Sequence, residues 1–407
     1  EGRSTTMRFD VPTAEARGLV EEAGPLLDGP VAAAIQEHRR GSASEPSLEP
    51  DGSLAGHVRR LKRRVHRLGA EAGLYAPHVS EALGGRGSSL RACMYLHEEV
   101  FLRGFGGQQW ALGWTDGPSP MVEVATERAV GEFVGPLMRA EITTAFAQTE
   151  PEAGSDATSM STVARRSGGD WVLTGHKHLI TNAPFAEMIQ VVARTDDGRF
   201  GIFLVAGDAP GFSRGPIQQT IMDDGQTASL TFEDCHIPLD MVLGEPQEKF
   251  GVPMRWINWT KARRAGMCVG LARNCLDRAL EHAKEREAFG RPIGSFEQVA
   301  LQISEAYRRT WATRAACDRL LEEIDASDPW ENPDAETRAN FAAIKLMAEE
   351  CLLEAADVSV QVFGGLGLLK STGLEHVYRV ARNLRIPGGT AEMQRREIAR
   401  SLGLLKG

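Results

Sequence analysis

The chain has 407 residues, 42% hydrophobic and 25% charged, with a formal net charge of −9. That length allows two or three domains around a large buried core, and the composition is too apolar for a disordered chain. The acidic balance argues against nucleic acid or anionic membrane as a partner, and no run reaches the roughly 18 apolar residues of a membrane-spanning helix.

The opening residues read as no secretory leader, and residues 1–6, before Met7, are left out of the fold reading. From about Thr13 to Ile142 the apolar spacing predicts helices, among them Val58–Ala72 and Leu90–Leu102, with a Ser/Pro/Gly-rich loop at Gly41–Ser53. From about Thr143 to Leu243 the period falls to two. Trp171–Thr174, Met188–Arg194, Gly201–Val205 and Ala228–Phe232 read as strands, separated by turns such as Asp196-Asp197-Gly198. Helices return from Val252 to Leu404: Ala265–Glu287, Phe296–Ile324, a polar break at Asp325–Glu336, then Ala343–Phe363. In the last of these, Ile344, Met347, Cys351, Leu352, Ala355, Val358 and Val362 form one apolar stripe. The six cysteines (Cys93, Cys235, Cys268, Cys275, Cys317 and Cys351) make no CxxC pair. This predicts reduced thiols in a cytoplasmic protein rather than a disulfide framework or a zinc site.

Five segments carry polar or glycine patterns with chemical meaning, and each also has a plain structural reading. Thr149-Glu150-Pro151-Glu152-Ala153-Gly154-Ser155-Asp156 offers hydroxyls and N–H groups to carbonyl or phosphate oxygens, or is a polar turn. Gly175–Ala183 is an extended run ending in Thr181-Asn182, or a simple hairpin. Glu285–Ile293 places Arg286 in the last turn of a helix, where it binds a pyrophosphate bidentately or offsets the helix dipole. Gln361-Val362-Phe363-Gly364-Gly365-Leu366-Gly367 ends a long helix, either as a cap or to admit a close approach. Leu384–Arg395 runs through Pro387-Gly388-Gly389 into Thr390, an N-cap on the plain reading.

In order and spacing the five segments together resemble the acyl-CoA dehydrogenase family, over nearly the whole chain from about Leu61 to Gly403. The resemblance implies an α+β fold: an N-terminal helical domain (7–142), a central small β-barrel domain (143–246) and a C-terminal four-helix bundle (247–407). It implies FAD held between the β-domain and the bundle, in a homotetramer or homodimer. Phe146, Gln148, Thr149 and Ser155 would line the isoalloxazine and the thioester side, with Leu179 and Thr181 against the flavin. Arg286 and Phe289, with Gln361, Gly364 and Gly365, would hold the pyrophosphate and adenine end from neighbouring chains. Thr390 and Glu392 would meet the cofactor near the final turn.

The implied reaction is α,β-dehydrogenation of an acyl thioester, with an electron-transfer partner or oxygen as reoxidant. In the family a Glu removes the α-proton, and here its two known positions hold Gly388 and Thr260. Gly388 keeps an N–H able to polarise the thioester carbonyl. Asp116 is the substitute carboxylate the alignment offers, and it also reads as the start of an Asp-Gly-Pro turn. Glu98 and Glu99 suit a structural pair. Asn258 and Lys261 replace the Asp and Arg expected near the CoA tail, with Arg263 and Arg264 one turn on. The acyl carrier is therefore CoA or a carrier protein. Trp110, Trp114, Trp256 and Trp259 imply a restricted pocket for a short or bulky acyl group, or are core. Two further readings share the fold: a flavin enzyme of different chemistry (monooxygenation or β-elimination), and an FAD-binding subunit without its own base.

Overall fold

The computed structural model describes residues 10–42, 44–327, 329–330 and 333–405; residues 1–9, where the fold reading begins at Met7, lie outside them. The N-terminal part is helical: α1 (Ala14–Leu26), α2 (Ala32–Gly41), α3 (Gly56–Glu71), α4 (Leu90–Phe101), and two short turns, α5 (Glu127–Ala129) and α6 (Gly135–Met138). Thr13 caps α1 and Ser89 caps α4, each accepting from a backbone N–H two or three positions inside the helix. The expected helices at 58–72 and 90–102 are α3 and α4, shifted by one or two residues.

Seven strands follow: β1 (Thr144–Ala147), β2 (Val163–Ser167), β3 (Asp170–Thr181), β4 (Met188–Thr195), β5 (Phe200–Ala206), β6 (Phe212–Ile217) and β7 (Thr227–Pro238). They form one sheet in the order β1-β4-β2-β3-β7-β6, with β5 also on β4. β1 and β2 pair end to end with β4 in parallel, at Met188–Val191 and Arg194–Thr195, while β5 runs antiparallel to it. Three of these strands escape the period-two reading. β1 is four residues long, β2 is mostly polar, and β6 contains Gly215 and Pro216, residues that weaken a strand signal. β3 extends well past the expected Trp171–Thr174, because its pairing with β7 slips at Leu173/Gly175 and again at Lys177/Ile180. Each bulge breaks the alternation on which the reading depends.

The C-terminal part holds α7 (Val252–Glu285), a two-stranded hairpin of β8 (Glu287–Ala288) and β9 (Arg291–Pro292), then α8 (Glu297–Asp325), α9 (Ala335–Phe363), α10 (Leu374–Leu384) and α11 (Ala391–Ser401). α7 begins 13 residues before the expected Ala265, because its first half buries Arg255, Asn258, Lys261, Arg263 and Arg264 and so shows no amphipathic stripe. It also ends sooner than expected: Arg286 lies just beyond the helix rather than in its last turn. Phe289 and Gly290, at φ 51° and 78°, turn the chain back so that Ile293 N–H donates to the Arg286 carbonyl at 2.7 Å. α9 starts before the expected Ala343 because Asp334 caps it, accepting from Thr337 N–H at 2.7 Å.

By length and composition alone α9 is able to cross a membrane. Here it is the central helix of the bundle, with Phe341, Ile344, Ala348, Leu352, Ala355 and Ala356 fully buried. One continuous apolar core joins α1 and α4 to α7–α10, and a second lies within the sheet and the segments around Ala76–Val79 and Met121–Leu137. α4 crosses α7 at two glycines. A Cβ at Gly266 would stand 1.9 Å from the Met94 carbonyl oxygen, and one at Gly270 would stand 2.5 Å from that of Glu98. Glu98 and Glu99 are indeed structural: Arg314 donates to Glu98 at 2.8 Å and Arg103 to Glu99 at 2.7 Å.

Candidate active site

The turn after β1 is held by a buried ion pair. Lys177 of β3 is fully buried and its Nζ donates to Glu150 Oε1 at 2.8 Å and to the Gln148 carbonyl at 3.0 Å. Glu150 also accepts from the N–H and hydroxyl of both Ser161 and Thr162. Burial alone would raise the Glu150 carboxyl, but the bonds from Lys177, Thr162 and Ser161 outweigh it and hold the group at about 2. His178 N–H closes the arrangement on the Thr149 carbonyl at 2.8 Å. Gln148 and Thr149 thus sit on a fixed platform, and Gln148 Oε1 is buried with no partner among the described residues. Ser155 is exposed at the far side of the same turn.

This pair makes a testable statement about pH. The Glu150 carboxyl is depressed from 4.5 to about 2, so its stabilisation is complete above pH 4.5 and is lost as pH falls toward 2. Glu150→Gln leaves Lys177 buried without its anion, and the variant is expected to be much less stable than the parent at pH 7. Urea denaturation at pH 7 and pH 3 should show the gap narrowing at the lower pH. A gap that stays constant would contradict the assignment.

β3 ends in an unusual conformation. Leu179 has φ 56° and is 53% exposed, a sterically costly backbone for a non-glycine residue and a recurrent mark of functional sites. The bulge turns Leu179 outward beside exposed Thr181. Asn182, at φ 62°, is buried and fixes the strand end by donating to Thr143 Oγ1 at 3.1 Å and the Thr144 carbonyl at 3.0 Å. Phe146 on β1 stacks on Trp256 of α7, with ring centroids 4.4 Å apart, which ties the sheet to the bundle.

On the bundle side, Gly388 and Gly389 have φ 71° and 89°, and Thr390 caps α11, as its plain reading expects. Arg264 Nη1 donates to the Pro387 carbonyl at 2.7 Å and to Glu349 Oε1 at 2.9 Å, while Lys345 Nζ donates to Glu349 Oε2 at 2.9 Å. A Cβ at Gly388 would stand 3.5 Å from Arg264 Nη1. A carboxylate at this position would therefore face a guanidinium. Thr260 is spent on its own helix, its hydroxyl donating to the Trp256 carbonyl at 2.7 Å. Asn258 and Lys261 are brought together, with Lys261 Nζ 3.4 Å from Asn258 Oδ1. Burial and the nearby charges of Lys345 and Arg264 push Lys261 down to about 8 despite the opposing pull of Glu397.

Asp116 is fully buried, with Oδ2 2.7 Å from Lys62 Nζ and Oδ1 3.5 Å from His66 Nε2. Burial pushes His66 down to about 4 even with Asp116 beside it. The group lines a small cavity of ≈ 70 Å³ with Arg59, Arg63, Thr143 and Asn182, so it borders the same strand ends that carry Thr181. The Asp116 carbonyl accepts from Thr144 N–H at 3.0 Å. Trp114, two residues earlier, packs on α7 within 4.3 Å of the Arg263 guanidinium.

Comparison with known proteins places this arrangement. Residues 145–235 match the acyl-CoA dehydrogenase middle domain and residues 250–403 match the acyl-CoA dehydrogenase C-terminal domain. The human mitochondrial short-chain specific acyl-CoA dehydrogenase is 31% identical over 343 residues, covering 83% of this chain and 81% of the relative. The chain belongs to the acyl-CoA dehydrogenase family. A 3-(aryl)acrylate reductase from Clostridium sporogenes is 28% identical over 88% of this chain and 95% of its own. The crystal structure of a putative acyl-CoA dehydrogenase from Mycobacterium smegmatis superposes with TM-score 0.82 at 26% identity, covering 97% of this chain and 99% of that one.

Family membership makes the chain a flavin oxidoreductase with FAD as its cofactor, and its residues fit that group. Gln148 offers an unmet acceptor, Leu179 is turned outward, and a Cβ at Gly364 or Gly365 would meet nothing within 4 Å. Phe289, at the hairpin tip, is 96% exposed, and Arg286, Gln361 and Glu392 are exposed as well. The sequence reading names Gln148 and Thr149 but misses Glu150 and Lys177, the charges that hold them, although both lie inside the quoted segments. It also misses Lys62, His66, Lys345 and Glu349, buried charges and rings that no local pattern marks.

Proposed function

We propose that this chain dehydrogenates the α,β-bond of a short or bulky acyl thioester. Bound FAD supplies the hydride acceptor, and the remaining work falls to side chains and backbone. Gln148, Thr149, Leu179 and Thr181 hold the isoalloxazine side. Arg286, Phe289, Gln361, Gly364 and Gly365 hold the pyrophosphate and adenine end, and Thr390 with Glu392 meets the cofactor near the last turn. The Gly388 N–H donates to the thioester carbonyl as enolate charge develops.

Asp116 is the proton acceptor in this reading. Glu349 has both oxygens occupied by Arg264 and Lys345, and neither Gly388 nor Thr260 is a base. Ser155, Asn258 and Lys261 face the pantetheine arm. Lysine is a point charge rather than a bidentate fork, which suits a thioester on CoA or on a carrier protein alike.

A second copy of the chain completes the adenine end. Supporting this are the exposed Phe289, Leu366, Leu368 and Leu369 and an open groove of ≈ 530 Å³ lined by Leu280, Ala283, Pro292, Ile303 and Tyr307. Six free buried cysteines suit a reducing, cytoplasmic setting, and an electron-transfer protein or oxygen accepts the electrons.

The observation that carries the proposal is the fixed Gln148–Thr149 platform beside the outward Leu179 and Thr181. The test is anaerobic mixing of yellow holoenzyme with a panel of acyl thioesters. Bleaching of the flavin band by a saturated thioester is the expected result. Protein that takes up no FAD, or flavin reduced only by NAD(P)H, would overturn it.

A further inference from the structure

Arg263 of α7 is 6% exposed and lies between two indole rings, 4.3 Å from that of Trp114 and 6.0 Å from that of Trp259. Its Nε is buried and meets no acceptor among the described residues, and no carboxylate of those residues lies within 4.0 Å of the guanidinium. Trp259 Nε1 is a second buried donor without an acceptor among the described residues. Both unmet groups only donate, and the unpartnered ring nitrogens of His78 and His97, whose rings pack on Trp259 at 3.8 and 5.8 Å, belong to imidazoles that burial keeps neutral, so they supply no negative charge.

Charge gives the same answer. Asp116, the anion whose charge reaches Arg263, is already matched by Lys62 at 2.7 Å. The neighbouring imidazoles of His66 and His97 are pushed down by burial to about 4 and about 3, so they are neutral at pH 7. One positive charge is left over in a mostly apolar wall. A buried, unmatched guanidinium is strongly unfavourable, and the cation–π contacts with the indoles recover only part of that cost.

Position assigns the missing anion. Arg263 is one helical turn from Thr260 and adjacent to Arg264, whose guanidinium reaches the Pro387 carbonyl beside Gly388. These are the two places the family reserves for its base, so Arg263 lies within about one helical turn of the positions where the proposed chemistry occurs. We propose that Arg263 and Trp259 bind a carboxylate at the far end of the acyl group, so that the substrate is the half-thioester of a short dicarboxylic acid. The indoles of Trp114 and Trp259 flank its methylenes and limit its length. This rests on the thioester reading above and narrows it to one substrate class.

The test is calorimetric titration of the FAD-loaded protein with unreactive thioether probes, S-(carboxyalkyl)pantetheines of four and five carbons, against their methyl-terminated counterparts. The carboxylated probe is expected to bind at least ten-fold more tightly. Arg263→Met should bring the ratio to about one, and Arg263→Lys should keep part of it. Equal affinities in the parent, or an unchanged ratio in the Met variant, would overturn the carboxylate site. Should the Met variant fail to fold, the parent's ratio alone decides. Anaerobic bleaching by thioesters is read separately on the same protein. Flavin that bleaches while the two probes bind equally removes this site and leaves the general function standing, whereas protein that binds no FAD removes both.

Discussion

Glu349→Gln is expected to lower stability by about 3–5 kcal/mol, since it leaves buried cations without their anion. Glu349 is 1% exposed, and its two oxygens take Arg264 Nη1 and Lys345 Nζ at 2.9 Å each. Lys345 is fully buried and Arg264 is 3% exposed. Glutamine keeps the shape but removes the charge, so both cations must remain in the core without it. Arg264 also carries the Pro387 carbonyl, so the Gly388-Gly389 turn should loosen with it. Glu350→Gln is the control. Its carboxylate faces Arg395 at 2.7 Å with roughly half of each side chain exposed, where such pairs contribute about 0–1 kcal/mol. Urea denaturation of the two variants compares them directly. A Glu349 variant no weaker than the Glu350 variant would show that α9 does not depend on this anion.

How far the sequence reveals this molecule depends on whether a feature is local. The helix–sheet–helix order is legible because hydrophobic period is a short-range signal. α3, α4, β4 and β5 lie within a residue or two of their expected bounds. The start of α7 is not legible, since Arg255, Lys261, Arg263 and Arg264 look like a solvent face and are buried instead. For Arg263 and Arg264 only the partners explain the burial, and those come from α9, from the Pro387 turn and from the Trp114 segment, far away in the chain. The candidate flavin-side residues are nameable from the sequence because they cluster in five short motifs. The Glu150–Lys177 pair, which sets the shape of the first of them, joins residues 27 positions apart. Arg286 departs from its expected place for a local reason: positive φ at Phe289 is unexpected for an aromatic residue, so the sequence favours helix over a tight hairpin.

Asp116→Asn should slow flavin reduction by about 10²–10⁴, the usual contribution of a positioned base, with FAD still bound. The same substitution also removes the anion beside Lys62, and a purely structural role for the pair would lower activity too. Lys62→Met separates the two roles. It breaks the pair from the other side, removing the ammonium 2.7 Å away while leaving the carboxylate in place. If Asp116 takes the α-proton, the Met variant, although less stable, keeps flavin reduction nearer the parent's rate than the Asn variant does. If the pair only fastens α3 to the segment before β1, both variants lose stability and reduction in step. Stopped-flow reduction and urea midpoints on the two proteins give the four numbers required. An Asn variant that reduces its flavin within a few-fold of the parent would take Asp116 out of the chemistry. The pair would then be a tie that holds the Thr144 strand end in register through the Asp116 carbonyl.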